Sequence, residues 1–375
     1  MTVDTSSEHK LFRATTKSFL SKETPISRVR ALADEDSSFE RSWWTKGAEL
    51  GWTALQVPED LGGGSVTGNG ILDLVAVAEE LGRGVAPGPL HPVNVVLAAL
   101  VDARTGPDHT KEIEELISGE KIATWAVYEP GNAWAPHAPT VTASATAEGY
   151  VLNGVKDRVE AGPQADTFLV TALTDAGPLQ FLVDADVPGV SVTRSRSIDL
   201  VKQYASVEFD NAEVGIDTAV GDVDTTVALI HRQIQVANLL QVAETVGLLD
   251  TVFDFTVQWA FDRYSFGRPL ASYQALKHRF ADMKMWLEAC HATVDGAAEA
   301  VQNRADDAGY LVSVAKSYVG WRSAQIIQDC VQMHGGIGIT WEHDLHLFLR
   351  RALLNRELLG TPEDHRRSIA DYLEL

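Results

Sequence analysis

The stretch Arg263-Tyr264-Ser265-Phe266-Gly267-Arg268-Pro269-Leu270-Ala271-Ser272-Tyr273-Gln274 decides how this chain folds. Residues 222–262 before it contain no proline and a single glycine, and their apolar residues recur at helical spacing. They therefore read as one helix of up to ~60 Å. Arg263 ends that helix, Gly267 and Pro269 turn the chain, and Gln274 stands where the next helix begins. Further long helical stretches follow at Lys277–Arg304 and Asp306–Met333, then a shorter one at His343–Leu359 and a last one opened by Pro362 at a favoured first-turn position. Long helices joined by short loops make a bundle.

Upstream the texture differs. Residues 122–219 break into short β-rich runs at Ala123–Tyr128, Thr140–Ala145, Tyr150–Val155, Thr167–Ala172, Gln180–Val183, Val190–Thr193 and Ala205–Phe209, with turns marked by Asn153-Gly154 and Pro188-Gly189. These seven strands imply a small sandwich or barrel. Residues 1–120 read as helices at His9–Leu20, Ser38–Leu50, Ile71–Leu81, Pro92–Val101 and Lys111–Ser118, with a glycine loop at Gly62-Gly63-Gly64. The expected class is α+β in three domains: helical 1–120, a β-sandwich or barrel at 121–220, and a four-helix bundle at 221–375.

Composition narrows the function. With 375 residues and 45% hydrophobic content, the chain can bury a large core. A formal charge of -21 argues against nucleic acid and anionic membrane as partners, since both need a basic face. No apolar run is expected to span a bilayer. The polar, acidic N-terminus is unlike a signal or transit peptide, which makes the cytoplasm the expected location. Cys290 and Cys330 read as two buried reduced thiols. His343 and His346 form the only histidine cluster, at a spacing that matches no common zinc motif, so no metal site is expected.

The chemistry concentrates in two bundle segments. Arg263 offers a fork suited to a pyrophosphate, and Phe266 a flat apolar face. The second segment, Gln332-Met333-His334-Gly335-Gly336-Ile337-Gly338-Ile339, ends another helix, and its glycines permit close backbone approach to a ligand. Together these segments resemble the two flavin-binding signatures of the acyl-CoA dehydrogenases. The order helices, β-domain, bundle is similar to that family over essentially the whole chain. The resemblance implies FAD as cofactor. It also implies that Arg263, Phe266, Gln274, Gln332, Gly335 and Gly336 hold the ADP half of a neighbouring subunit's FAD.

Family members remove the acyl α-proton with a carboxylate, placed either in a Tyr-Glu-Gly-Thr segment or on the long helix before the arginine motif. Here those places read Leu358-Leu359-Gly360-Thr361 and Ala237-Asn238, so no catalytic residue is assigned. The family's glycine-rich strand segment becomes Tyr128-Glu129-Pro130-Gly131-Asn132-Ala133-Trp134-Ala135, with Trp134 at the place of a small hydroxyl. Asn153-Gly154-Val155-Lys156 keeps the family pattern. Asp157-Arg158-Val159-Glu160 then replaces the residues that pack on the flavin ring, and Glu160 would be unfavourable there unless paired. Residues that serve a partner's flavin are present and those serving the chain's own are replaced, a sorting that random decay would not produce.

The resemblance is strongest to the non-catalytic subunits of heteromeric α2β2 actinobacterial enzymes acting on steroid-derived CoA thioesters. It implies a homologous catalytic subunit as partner, with the acyl-CoA held mainly in that partner's cleft. Two other readings remain open. One is a self-sufficient homo-oligomeric dehydrogenase with a displaced base such as Glu244, which otherwise reads as a solvated or interface carboxylate; Glu357 is a weaker candidate. The other is a non-enzymatic scaffold without flavin. Trp43 and Trp44 read as core, and the pairs Arg350-Arg351 and Arg366-Arg367 as solvated helix faces.

Overall fold

A computed structural model describes residues 6–35, 38–131 and 134–375. Six helices come first: α1 (Ser7–Glu23), α2 (Ile26–Leu32), α3 (Arg41–Glu49), α4 (Gly70–Arg83), α5 (Leu90–Asp102) and α6 (Thr110–Ile117). Five match the expected segments to within a few residues. The extra one, α2, starts directly after Pro25, whose fixed φ suits entry into a helix.

The strands follow: β1 (Ala123–Ala126), β2 (Thr142–Ala145), β3 (Gly149–Glu160), β4 (Thr167–Thr174), β5 (Gly177–Asp184), β6 (Val190–Ser195), β7 (Tyr204–Gly215) and a short β8 (Ala219–Val220). They form a single sheet in the order β6-β7-β3-β2-β4-β5-β8, with β1 also paired to β4. β1 and β2 run parallel to β4 and share one of its sides, and the other pairings are antiparallel. A register shift between Lys156 and Val159 interrupts the β3–β7 ladder, and Arg158 within it takes a positive φ of 50°. Such a bulge turns a side chain away from its alternating place.

The C-terminal part contains α7 (Val223–Asp262), a two-strand turn of β9 (Tyr264–Ser265) and β10 (Arg268–Pro269), α8 (Gln274–Gln302), α9 (Ala308–His334), α10 (Leu345–Glu357) and α11 (Pro362–Tyr372). Asp222 opens α7 with a capping box, and Thr361 does the same for α11 with Pro362 in its first turn. α7 carries an 18-residue window apolar enough in length and composition to cross a membrane, although no such run was expected. That window is 94% buried inside the fold, because the helix packs on N-terminal helices and bundle together.

The α4–α7 crossing is close. A Cβ at Gly82 would sit 1.9 Å from the Glu244 carbonyl oxygen, and one at Gly247 would sit 2.0 Å from that of Glu79. One hydrophobic cluster runs from Trp43, Trp44 and Trp52 through α4 and α5 into α7, α8 and α9. The sheet keeps its own cluster around Phe168, Phe181 and Phe209.

Candidate functional site

The arginine turn is a two-residue hairpin loop. Phe266 and Gly267 have φ of 50° and 77°, and Ser265 pairs with Arg268 across them. Two consecutive positive φ values give the primed turn that fits a tight hairpin, where glycine is at ease and phenylalanine is strained. Phe266 is also 96% exposed. The turn is braced by the Tyr273 hydroxyl donating to the Ser265 carbonyl at 2.7 Å and by the Arg268 guanidinium 3.9 Å above the Tyr273 ring. Phe266 thus combines a strained backbone with an almost fully exposed ring.

Arg263 caps α7, is exposed, and forms no ion pair among the described residues. Gln274 opens α8 and Gln332 lies in the last turn of α9, both exposed. Gly335 and Gly336 are exposed in the short helical turn that follows, and a Cβ at either would meet nothing within 4 Å. Their backbone is thus open to an approaching ligand. Trp259 joins the two segments: its ring stacks on His334 at 5.2 Å with 20° between planes, and the Arg263 guanidinium lies 5.9 Å from it. All six residues therefore sit on or beside the same end of the bundle. This end of the bundle thus gathers a guanidinium without an ion pair, two amides, an exposed ring and an approachable glycine backbone, the Gly335 N–H itself donating to the Gln332 carbonyl.

The family's two base positions meet elsewhere. Ala237 and Leu359 line the same cavity, of about 50 Å³, with Trp125, Tyr128, Arg158, Glu160 and Gln241. Neither can accept a proton. Trp134 lies against Tyr128 at 5.1 Å between ring centroids and faces Trp125 at 6.5 Å, while its near neighbours Asn132 and Ala133 lie outside the described residues. The bulge brings the Arg158 guanidinium 4.2 Å above the Tyr128 ring, where it also donates to the Glu129 carbonyl at 3.1 Å. The Leu359 N–H donates to the Tyr128 hydroxyl. Burial pushes that phenol up to about 12, so it stays protonated. Indole, guanidinium and leucine thus occupy the space around these positions. The cavity left beside them, about 50 Å³, is small for a flavin ring.

Glu129, in the segment that departs from the family, and Lys156, in the one that keeps its pattern, explain each other. Lys156 is fully buried and contacts Glu129 at 2.7 Å, and Glu129 also accepts from the backbone of Thr140 and Val141. This pair pins the loop after β1 to β3.

Glu244 corrects the expectation of a solvated or interface carboxylate. It is fully buried, 2.7 Å from Arg351 and 3.1 Å from Lys202, and accepts from the Asn355 amide at 2.8 Å. Arg351 also pairs with Asp199, and Lys202 lies 3.0 Å from Glu160. Burial alone would raise the Glu244 carboxyl, but Lys202 and Arg351 outweigh it and hold it far below the usual carboxylate range. A carboxylate so stabilised is a poor proton acceptor. Glu160 is paired, which meets the condition set for it. Arg351 is likewise a core residue and not part of a solvated face. Arg350, beside it, donates to the Ile198 carbonyl at 3.1 Å.

The remaining candidates are quickly placed. Glu357 is exposed beside Arg356. Arg366 and Arg367 lie on the exposed side of α11, paired with Glu363 and Asp364. Trp43 and Trp44 are core. Cys290 and Cys330 are free and buried, and burial raises both thiols to about 12. His343 packs edge-on to His334 at 4.6 Å, and His346 stacks on Trp341 at 4.4 Å.

Comparison with known proteins agrees with this architecture. Residues 6–120 match the acyl-CoA dehydrogenase N-terminal domain and residues 227–373 the acyl-CoA dehydrogenase C-terminal domain. The acyl-CoA dehydrogenase IpdE2 of Mycolicibacterium smegmatis is 31% identical over 366 residues, covering 97% of this chain and 98% of the relative. The ChsE4–ChsE5 complex of Mycobacterium tuberculosis matches with a TM-score of 0.86 at 29% identity, over 100% of this chain and 99% of the other. A variant of the Tcur3481–Tcur3483 steroid ACAD matches with a TM-score of 0.88 at 26% identity, covering 98% of each chain. The chain belongs to the acyl-CoA dehydrogenase family of oxidoreductases.

Proposed function

We propose that this chain is the non-catalytic subunit of a heteromeric FAD-dependent acyl-CoA dehydrogenase, paired with a homologous catalytic subunit in an α2β2 assembly. The reaction is α,β-desaturation of an acyl-CoA, of the steroid-derived kind suggested by the Tcur3481–Tcur3483 relative. One observation carries the reading. The small cavity that holds both family base positions is lined by Ala237 and Leu359 beside Arg158, with Trp134 packed against its Tyr128 wall, while the residues suited to a dinucleotide stand exposed on the chain's surface.

In that assembly FAD, when bound, accepts the hydride leaving the acyl β-carbon. This chain's residues hold and orient it. Arg263 would pair with the pyrophosphate, as a planar two-pronged donor suits phosphate oxygens. Gln274 and Gln332 would bond the adenosine and ribose edges, Phe266 would cover the adenine, and Gly335 and Gly336, which carry no side chain, would let the cofactor approach the backbone closely. The partner supplies the base, the ring pocket and most of the acyl-CoA cleft. The homo-oligomeric alternative based on Glu244 is disfavoured by that residue's buried ion cluster.

The test is co-purification with the homologue encoded nearest to this chain, comparing wild type with Arg263→Ala. Loss of a charge-assisted contact worth ~2 kcal/mol should weaken FAD retention by roughly thirtyfold without separating the subunits. Undiminished flavin content in the variant pair would mean that this chain does not hold the flavin and serves as a scaffold only.

A further inference from the structure

A second cavity, of about 830 Å³, lies between α1, the α1–α2 turn, the end of α4, the last third of α7 and the start of α10. It shares no lining residue with the cavity at Ala237 and Leu359. Its size is that of a small-molecule site. Leu20, Ile26, Phe255 and Phe348 give it apolar walls, and His334 and His343 stand side by side within it.

The hydrogen bonds of these two imidazoles fix complementary tautomers. His334 Nδ1 faces the Cys330 carbonyl at 2.8 Å and must donate to it, which leaves Nε2 a bare acceptor. His343 Nδ1 accepts from the Leu345 N–H at 3.1 Å, which leaves Nε2–H a donor. Neither Nε2 has a partner among the described residues. Burial lowers both imidazoles below their ordinary value, so both are neutral near pH 7. The charged rim is unsuited to anions. Glu80 and Asp344 are each held by an arginine, but Asp254 and Asp262 have no cation partner among the described residues; of the lining cations, Arg83 is taken up by Glu80 and Asp250, which leaves Lys17.

The geometry points to a second ligand site here, for a flat, uncharged apolar molecule bearing a carboxamide or hydroxyl group that gives a proton to His334 Nε2 and accepts one from His343 Nε2. The rim carboxylates exclude CoA thioesters and nucleotides from it.

The test is calorimetric titration of the full chain with 2-naphthamide, its isosteric anion 2-naphthoate, and naphthalene as the reference lacking a polar group. The amide should bind saturably at one site per chain, at least about tenfold more tightly than the carboxylate. His343→Phe keeps an aromatic ring but removes the donor, and should weaken the amide about fivefold while leaving naphthalene unchanged. Ser21→Trp, an exposed α1 position on the groove wall, should abolish both. Equal binding of the carboxylate, no saturable binding of the amide, or binding unaltered by Ser21→Trp would overturn the assignment.

Discussion

Glu244 separates two accounts of this chain at the level of one side chain. As a displaced base it would need a free carboxylate near a substrate; as found, both oxygens are committed to Arg351, Lys202 and Asn355. Breaking a buried pair by removing one partner typically costs ~3–5 kcal/mol, since the other charge is left without compensation. Glu244→Gln should therefore lower the unfolding free energy by about 3 kcal/mol in urea titration. A variant as stable as wild type but without turnover in the pair would restore Glu244 as a base.

His365 offers a second residue-level check. It is buried, with Nε2 donating to the Leu359 carbonyl at 2.9 Å and Nδ1 beside the Ser313 hydroxyl. Burial and nearby Lys316 push it down to about 4. Because the folded value lies below the unfolded one of 6.5, the unfolded chain binds more protons between those limits. The associated stability is whole above that range and is lost as pH falls from about 6.5 to 4, by roughly 3 kcal/mol. Urea midpoints at pH 7.5 and pH 5 should show the loss, and His365→Gln should reduce the difference.

At the scale of elements, α7 is the member on which the rest is assembled. Its packing on α4 depends on Gly82 and Gly247, where a side chain would collide with backbone oxygens that cannot yield. Gly247→Ala should cost about 2 kcal/mol or more despite the better helix propensity of alanine, because overpacking forces the helices apart. A thermal midpoint equal to wild type would mean that this crossing is looser than it stands. Most elements were legible in the sequence, because α7, the strands and the arginine turn are written in local spacing and punctuation. α2 was missed, being seven residues long and too short for a helical period to show.

The candidate site was legible in part, for a physical reason. The clamp residues follow from two contiguous motifs, and the absent bases from two aligned positions. The Glu244–Arg351 contact joins residues 107 apart in sequence, and Glu129–Lys156 joins residues 27 apart. No local pattern announces such pairs, so Arg351 read as solvated and Glu129 and Lys156 had no assigned role. The groove at His334 and His343 escaped for the same reason, since α1, α4, α7 and α10 build it together.

For the whole molecule, a net charge of -21 leaves no diffuse field to hold a polyanionic cofactor, so binding depends on a few placed donors such as Arg263. Those donors are exposed in the single chain, while its own base positions, Ala237 and Leu359, line only a small cavity beside Arg158 and Glu160. On the proposed reading, the chain completes a partner's flavin site and does not run one alone. The direct test is the FAD content, by absorbance against protein concentration, of the lone chain and of the chain co-purified with its homologous partner. The account predicts essentially no FAD and no acyl-CoA oxidation for the lone chain, and one FAD per pair of unlike subunits with activity restored. One tightly bound FAD in each lone chain, with turnover, would contradict it.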